Sequence, residues 1–368
     1  MERIHRVFRS PKFMLILLVT IVGTYYFSEW SKSPANADVT RSAQMKLAKN
    51  ANSVGESQPP VPARKTKEID PELVKIVRGG SSLPNYFLKT AANKEMYRNA
   101  TLSFVHYPKG GGTTMKECIT KISQTGNREP PLVVFAPNAG ETKEQLLNGA
   151  HAKTDIFMGT YGFSLCQYVN SKNCAYFTIL RDPYDRMVSH YFFCRYGGGS
   201  NAPCNKPIEE FAVMVRSVFF HQLTCIHKCK QNDGPKGPWS CDREQLEVEQ
   251  LVNYRENEIE MILDYAEQHL EDIFVTIGLL DEFDTSLALL QEAFGLPFYD
   301  MCRNSHRNGR PDESEERKQE RIAAKKALME NEEVKKVLHA DIRLYNRAKE
   351  LFQKQKEKSV QRLWEAKR

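Results

Sequence analysis

The sequence lacks a strong net charge, an internal repeat and a second long apolar run. Its 368 residues carry 52 lysines and arginines and 46 aspartates and glutamates, so the net charge is +6. This mild positive balance is compatible with an anionic substrate, but it does not indicate nucleic acid, for which no recognition motif is present. The length is ample for a core in one large domain or two small ones. The function must therefore be argued from a site.

The only long apolar run follows a basic N-terminus. Three arginines and one lysine, against a single glutamate, occupy residues 1–12, and residues 13–27 then carry no charge. This order predicts a cytoplasmic tail (1–12), a signal-anchor transmembrane helix (13–30) and a lumenal remainder. A cleaved signal peptide is the alternative, because the run is short for a span and Ala35-Asn36-Ala37 resembles a cleavage site. Since that site lies well beyond the run, we favour a single-pass type II membrane protein.

Cysteine is missing from the first 117 residues, so all nine cysteines lie on the predicted lumenal side. Oxidising conditions there favour disulfides over a zinc site. The odd count leaves one cysteine over, and sequence alone does not fix the connectivity. The Asn99-Ala100-Thr101 sequon is consistent with a secreted glycoprotein. The pairings that loop length favours are Cys194 with Cys204, Cys166 with Cys174, and one pair among Cys225, Cys229 and Cys241.

The remainder divides into a polar segment, a domain and a charged end. Residues 31–93 are polar with few aromatic residues, which predicts a stem or linker, and we place the domain over 94–356 and a frayed tail over 357–368. Alternation of strands and helices predicts an α/β fold with a mainly parallel sheet in three layers. The short apolar runs that match buried strands lie at 132–136, 155–158, 175–180 and 273–280.

The second half of the chain contains three stretches with helical periodicity. One covers residues 244–270, a second covers 283–294, and a third lies near the C-terminus within a highly charged stretch. We expect the third helix to dock one face on the domain and to leave the rest in solvent. The apolar residues that keep helical spacing are Phe283, Leu287, Leu290 and Phe294 in the second helix, and Val334, Leu338, Ile342, Tyr345 and Phe352 in the third.

A glycine-rich loop follows the first predicted strand, in the stretch TLSFVHYPKGGGTTMK from residue 101 to 116. Pro108 closes the strand, three glycines permit close backbone approach to a ligand, and Thr113 and Thr114 are good N-cap types for the next helix. Strand, loop and helix N-terminus together predict an anion site. A Walker A loop places its lysine after the glycines, whereas Lys109 precedes them, and no Walker B carboxylate is evident. A kinase or ATPase is therefore disfavoured.

A second anion element lies in the stretch ILRDPYDRMVSHY, residues 179–191. Arg181 follows a predicted strand, Asp182 can cap the next helix, and Pro183 suits the first helical position. A guanidinium held at this junction can grip a phosphate through two hydrogen bonds. Ser189, two helical turns further on, supplies a hydroxyl.

Together the PKGGGTT loop and the LRDP element with its serine resemble those of the Golgi carbohydrate sulfotransferases, and most closely the heparan sulfate 2-O- and 6-O-sulfotransferases and their uronyl relatives. The resemblance spans residues 101–352 and implies a P-loop-like sulfotransferase fold, a Golgi membrane location, and transfer of sulfonate from 3'-phosphoadenosine 5'-phosphosulfate (PAPS) without a metal. It further implies that Lys109 steadies the leaving phosphate and that Arg181 and Ser189 bind the 3'-phosphate. The residues implied at the 5'-phosphosulfate are Lys109, Gly110, Gly111, Gly112, Thr113 and Thr114.

The acceptor hydroxyl needs a general base, and here the sequence departs from the family. Relatives carry a histidine in a GH motif between the two elements, but the matching position holds Thr160. His151 lies in a segment that resembles GLHAD of the 6-O enzymes and is our preferred base, because imidazole titrates near working pH. His106 and Glu141 are the alternatives.

The resemblance implies a glycan acceptor, with a uronic-acid-containing glycosaminoglycan as the leading class. Sulfation of neutral galactose-type glycans or of protein tyrosine is an alternative within enzymes. A non-catalytic protein that binds PAPS or glycans is the alternative from another class, because of Thr160. Candidate side chains for an acidic glycan are Arg195, Lys206, Arg303, His306, Arg307 and Arg310.

Overall fold

The computed structural model describes one unit of the chain, within Glu68–Arg368. The predicted anchor lies outside the described residues. In the part that is described, no helix combines the length and the apolar character needed to cross a membrane. The described ranges are 82–89, 94–126, 128–134, 139–151, 153–159, 163, 165–169, 173–196, 202–224, 256–303 and 314–365.

Five parallel strands form one sheet, which confirms the predicted mainly parallel α/β architecture. Its order is β2-β3-β1-β4-β5, so β1 lies at the centre. Every residue of β1, β3, β4 and β5 is buried. Because successive side chains of a strand point to opposite faces, both faces of the sheet are covered, as a three-layer fold requires. The strands are β1 (Thr101–Val105), β2 (Leu132–Val133), β3 (Ile156–Gly159), β4 (Cys174–Leu180) and β5 (Phe274–Leu279).

Twelve α-helices are assigned within the described ranges. The helix predicted over 283–294 is confirmed at those bounds, and its four predicted apolar residues are buried. Of the helix predicted over 244–270, the described part begins at 256 and ends at 268. The helices are α1 (Lys94–Arg98), α2 (Gly112–Thr125), α3 (Ala139–Leu147), α4 (Pro183–Tyr196), α5 (Ile208–Val215), α6 (Val218–Thr224), α7 (Glu256–Gln268), α8 (Leu270–Ile273), α9 (Phe283–Phe294), α10 (Phe298–Cys302), α11 (Glu315–Glu330) and α12 (Glu332–Glu365).

The last helix, α12, is longer than predicted and packs against β5, an edge strand of the sheet. The expected frayed tail over 357–368 is wrong as far as residue 365, because the helix continues to that point. Gln355 is fully buried and its side chain bonds both the amide and the carbonyl of Ile277 in β5, at 3.1 and 2.8 Å. Arg362 donates to the carbonyl of Tyr86 at 2.8 Å. The charged composition of this stretch predicts that its side chains are solvated. In the structure, Gln355 and Arg362 instead form hydrogen bonds with other parts of the domain.

The domain also begins earlier than the predicted boundary at residue 94. Residues 82–89 were assigned to a polar stem, yet Tyr86 and Phe87 are buried in the core. The amide of Leu83 donates to the carbonyl of Cys174 at 2.8 Å, and Asn85, fully buried, donates to the side chain of Gln355 at 2.9 Å. Residues 82–89 are therefore part of the domain and pack in its hydrophobic core.

Three disulfides lie within the described residues. Cys166–Cys174 and Cys194–Cys204 confirm two predicted pairs. The third, Cys118–Cys302, joins α2 to the end of α10 across 184 residues and was not foreseen. The pair expected among Cys225, Cys229 and Cys241 lies outside the described residues.

Candidate active site

The glycine-rich loop leaves the carboxyl end of the central strand β1, as predicted. The Gly110 amide donates to the carbonyl of Tyr107 at 2.9 Å, which closes a tight turn, and Lys109 has a φ of 69°. A side chain at Gly110 would place its Cβ 2.8 Å from the carbonyl oxygen of Ile179 at the end of β4. Glycine is therefore required where the loop crosses the neighbouring strand.

The predicted N-cap role of Thr113 and Thr114 is wrong. The N-cap of α2 is Gly111, whose φ of 85° lies in the left-handed region that favours glycine, so the helix starts before both threonines. Within the described residues no side chain caps this helix. The amides of Gly112 and Thr113 belong to the first turn of α2, directly after the glycine loop. This arrangement suits an anion at the positive end of the helix.

His106 lies directly beneath the start of α2. Its ring packs so closely on Gly112 that any Cβ there would overlap it. Burial, followed by the charges of Lys116 and Lys109, lowers the pKa of His106 to about 3. Its Nδ1 atom is buried and has no hydrogen-bond partner among the residues that the structure describes. His106 is therefore neutral at neutral pH.

Arg181 follows the last residue of β4, and because β4 pairs with β1, it reaches the glycine loop. Its Nη1 donates to the carbonyl of Lys109 at 3.4 Å, so the two motifs meet across 72 residues. Its Nε is buried without a partner in the described part of the chain. Burial lowers the pKa of Arg181, and the charges of Asp185 and Asp281 oppose that effect.

The LRDP element folds as its residues predict. Asp182 caps α4, because its Oδ1 accepts hydrogen bonds from the amides of Tyr184 and Asp185 at 3.1 and 3.0 Å. Pro183 is the first residue of the helix. Ser189 lies on α4 two turns later and is partly buried.

The ammonium group of Lys109 lies over α4. Its Nζ is 3.8 Å from the ring centre of Phe193, four residues after Ser189, and the Phe193 side chain is 40% exposed. A cation over an aromatic face is attracted by the ring quadrupole. Lys109, Arg181 and the helix that carries Ser189 are therefore brought together at one edge of the sheet.

His151, the preferred general base, is not brought to this edge. Helix α3 leads from the carboxyl end of β2 back to the amino end of its parallel neighbour β3, and His151 lies between α3 and β3. Its Nε2 is 2.7 Å from Oε1 of Gln145. The glycine loop is at the carboxyl end of β1, the opposite end of the strands. The assignment of His151 as the base therefore conflicts with the topology.

The alternative bases, His106 and Glu141, follow the carboxyl ends of β1 and β2 along the chain. Glu141 lies in the first turn of α3 and is exposed, and its Oε1 accepts a hydrogen bond at 2.8 Å from Gln145, the same side chain that His151 contacts. His106 lies between β1 and Lys109. Thr160, at the position of the histidine in relatives, lies outside the described residues.

Three of the candidate glycan-binding cations lie within the described residues. Arg195 lies 3.6 Å from Glu320, and Lys206 lies 2.8 Å from Glu210. The guanidinium of Arg303 stacks 5.2 Å from the ring centre of Tyr299. His306, Arg307 and Arg310 lie outside the described residues.

A buried polar cluster lies behind the loop, and the sequence alone does not indicate it. Asp341 of α12 accepts hydrogen bonds from Tyr107 Oη at 3.2 Å and from the amides of Phe219 and Phe220 at 3.2 and 2.9 Å. Burial raises the pKa of Asp341, and the charge of the fully buried Arg186 opposes that effect. The cluster ties the residue that begins the glycine turn to the C-terminal helix. Helical periodicity places Asp341 beside the apolar face of α12, but nothing in the sequence predicts that Tyr107 is its hydrogen-bond partner.

Replacing Gly112 with alanine is expected to weaken binding of adenosine 3',5'-bisphosphate (PAP), the desulfated form of the donor that the sequence resemblance implies, by at least about tenfold. The added methyl group would overlap the His106 ring, and overpacking costs about 1–3 kcal/mol. Isothermal titration with PAP measures the loss. Gly126→Ala is the matched control, since Gly126 ends the same helix with an ordinary φ of −82° and the atom nearest to a Cβ there is 3.2 Å away. Equal PAP affinities for wild type and Gly112→Ala would contradict the tight packing.

A comparison with known protein families finds a match, and the matched region contains both motifs of the site. Residues 96–273 match a family model described as the sulfotransferase family, and this range includes both the glycine loop and the LRDP element. The match supports a sulfotransferase family and hence a transferase activity. No curated protein matches the chain. Among the described residues, no group of histidine, cysteine, aspartate and glutamate side chains could hold a metal ion.

Proposed function

We propose that this protein transfers the sulfonate group of PAPS to a hydroxyl group of a glycan. The observation that carries the proposal is the hydrogen bond from Arg181 Nη1 to the carbonyl of Lys109, at 3.4 Å. It joins two anion-binding elements at the carboxyl edge of a parallel sheet, where ligands of such sheets bind. A nucleotide with anionic groups at both the 5' and 3' positions fits two separate elements of this kind.

The residues divide the binding of the donor between them. The first-turn amides of Gly112, Thr113 and Thr114, with the loop glycines, would hold the 5'-phosphosulfate, and Arg181 with Ser189 would hold the 3'-phosphate. The acceptor oxygen attacks sulfur while the bond from sulfur to the phosphate oxygen breaks. Lys109 offsets the negative charge that grows on that leaving oxygen. Most of the rate enhancement then comes from position and charge.

The proton of the acceptor hydroxyl must pass to a base at this edge. With a pKa of about 3, His106 in the ligand-free protein is a poor proton acceptor at neutral pH. Glu141 is an exposed carboxylate in the first turn of α3, which follows the carboxyl end of β2, and we propose it as the base in place of His151. In this role its carboxylate would exchange the hydrogen bond from Gln145 for the acceptor hydroxyl. Loss of transfer with retained PAP binding in Glu141→Gln is the expected signature of that role.

For the acceptor we propose a glycosaminoglycan that contains uronic acid, and for the location the Golgi lumen. Arg195 and Lys206 are exposed cations on and after α4, near the end of the helix that carries Ser189. Three disulfides agree with an oxidising compartment. Incubation of the full chain with labelled PAPS and a panel of desulfated glycosaminoglycans, neutral glycans and tyrosine peptides tests the acceptor class. Binding of PAP without transfer to any acceptor would favour a non-catalytic PAPS-binding protein.

Replacing Arg181 with alanine is expected to weaken PAP binding about 10- to 100-fold, because a charge-assisted hydrogen bond is worth about 1.5–3 kcal/mol. Isothermal titration of the full chain with PAP measures the change. Arg128→Ala is the matched control: Arg128 pairs with Asp155 at 3.3 Å, at the amino end of β3. Unchanged PAP affinity in Arg181→Ala would show that Arg181 does not bind the nucleotide, and the proposed nucleotide site would be wrong.

A further inference from the structure

Helix α11 lies along α4 and presents basic side chains to it. Lys325 Nζ is 2.7 Å from an oxygen of Asp185 in the first turn of α4. One turn earlier on α11, the guanidinium carbon of Arg321 is 4.6 Å from the ring centre of Phe192. Arg317, a further turn back, is 4.9 Å from the ring centre of Tyr196 at the end of α4. The two helices therefore run antiparallel, with Arg321 over the middle of α4.

This packing places Arg321 beside the turn of α4 that carries Ser189. Successive helical residues are rotated by about 100°. On that basis Ser189 lies between the face of α4 that meets α11 and the position of Phe193, which lies under Lys109. Arg321 and Lys109 therefore contact α4 at positions on either side of Ser189 around the helix axis.

Arg321 also lies within electrostatic range of Arg181. The charge of Arg321 lowers the pKa of Arg181, whereas the charges of Asp182, Asp185 and Asp281 oppose that effect. Two of these carboxylates are already engaged, because Lys325 lies 3.5 Å from Asp182 and 2.7 Å from Asp185. Two guanidinium groups from separate elements, the end of β4 and α11, therefore repel one another electrostatically. Such repulsion favours an anion between them.

We propose that Arg321 is a further donor-binding residue, which approaches the 3'-phosphate of the nucleotide from α11 while Arg181 approaches it from the end of β4. This inference rests on the proposed function. Phe192, which is buried, holds the Arg321 guanidinium by stacking. Arg321 then contributes to the discrimination between a nucleoside 3',5'-bisphosphate and a nucleoside 5'-monophosphate. The family match ends at residue 273, so this residue lies beyond the matched region.

Arg321→Met tests the proposal, because methionine keeps an apolar stem over Phe192 and removes the charge. Isothermal titration of the full chain with PAP and with adenosine 5'-monophosphate gives two dissociation constants for each variant. We expect PAP binding to weaken at least tenfold and binding of the monophosphate to change less than twofold. Arg317→Met is the matched control, since Arg317 stacks on Tyr196 one turn further from Lys325. It is expected to keep both constants.

The outcomes separate this inference from the proposed function. If wild type binds PAP and Arg321→Met binds it equally well, the role of Arg321 is overturned and the proposed function stands. Equal weakening of both nucleotides would also overturn it, because the effect would not depend on the 3'-phosphate. If wild type does not bind PAP, the proposed function itself fails. Should thermal unfolding show that Arg321→Met is not folded, Arg321→Lys replaces it, with an expected three- to tenfold loss for PAP alone.

Discussion

Replacing Lys109 with alanine is expected to lower the rate of sulfonate transfer from PAPS by about 10²–10³-fold, the usual effect of removing one preorganised group that stabilises transition-state charge. The Lys109 ammonium lies over Phe193, beside the loop that would hold the phosphosulfate. Removal leaves the leaving phosphate oxygen without this nearby cation as its negative charge develops. Alanine tolerates the positive φ of 69° no better than lysine does, so the backbone requirement is unchanged.

Single-turnover assays with labelled PAPS measure the change, and they require the acceptor identified by the panel. Lys121→Ala is the matched control, because Lys121 is an exposed lysine of α2 beyond its first turn. We expect Lys121→Ala to transfer at the wild-type rate. A Lys109→Ala variant that retains a third or more of the wild-type rate, with its fold verified by thermal unfolding, would contradict the role of this lysine.

The positions of both halves of the proposed donor site could be predicted from the sequence because their signals are local. Near Lys109, a buried strand is followed by a proline, three glycines and the start of a helix. Near Arg181, another buried strand is followed by a helix start with a capping residue. In a parallel sheet the carboxyl ends of all strands lie at one edge. Two local patterns and one general rule therefore predict that these residues lie close together.

His151 shows where a local pattern fails. The residues around it resemble a histidine segment of relatives, but which edge of the sheet they occupy depends on where α3 ends and β3 begins. Helix α3 returns to the amino edge before His151 is reached, so a pattern match without topology misplaces the residue. Thr113 and Thr114 fail for a different reason. Side-chain preference selects threonine as an N-cap, but the left-handed backbone at Gly111 starts the helix earlier.

Contacts between distant parts of the chain could not be predicted in any detail. The charged C-terminal stretch was expected to fray because composition shows the lysines and glutamates but not the partner that Arg362 finds at Tyr86. The boundary between stem and domain was misplaced for the same reason. The residues around Tyr86 are polar in composition, yet this segment packs on α12. Loop length favours short disulfides such as Cys166–Cys174 and carries no information about partners 184 residues apart.

Removing the Cys118–Cys302 disulfide is expected to lower the free energy of unfolding by about 5 kcal/mol, from the chain-entropy relation for a loop of this length. Both cysteines are fully buried, so the double variant Cys118→Ala/Cys302→Ala introduces no exposed thiol and no polar group. Urea unfolding of the variant and of wild type gives the difference.

The matched control is Cys194→Ala/Cys204→Ala, which opens a disulfide with a sequence separation of only 10 residues. The same relation assigns it about 2.7 kcal/mol, so the two variants are expected to differ by about 2.5 kcal/mol. The long-range disulfide also joins α2, whose N-terminus belongs to the proposed donor site, to α10 beyond β5. Its removal should therefore weaken PAP binding as well as lower stability, because the first-turn amides of α2 lose a covalent restraint. Equal destabilisation in both variants would show that strain or packing, rather than the entropy of the unfolded chain, dominates the contribution of Cys118–Cys302.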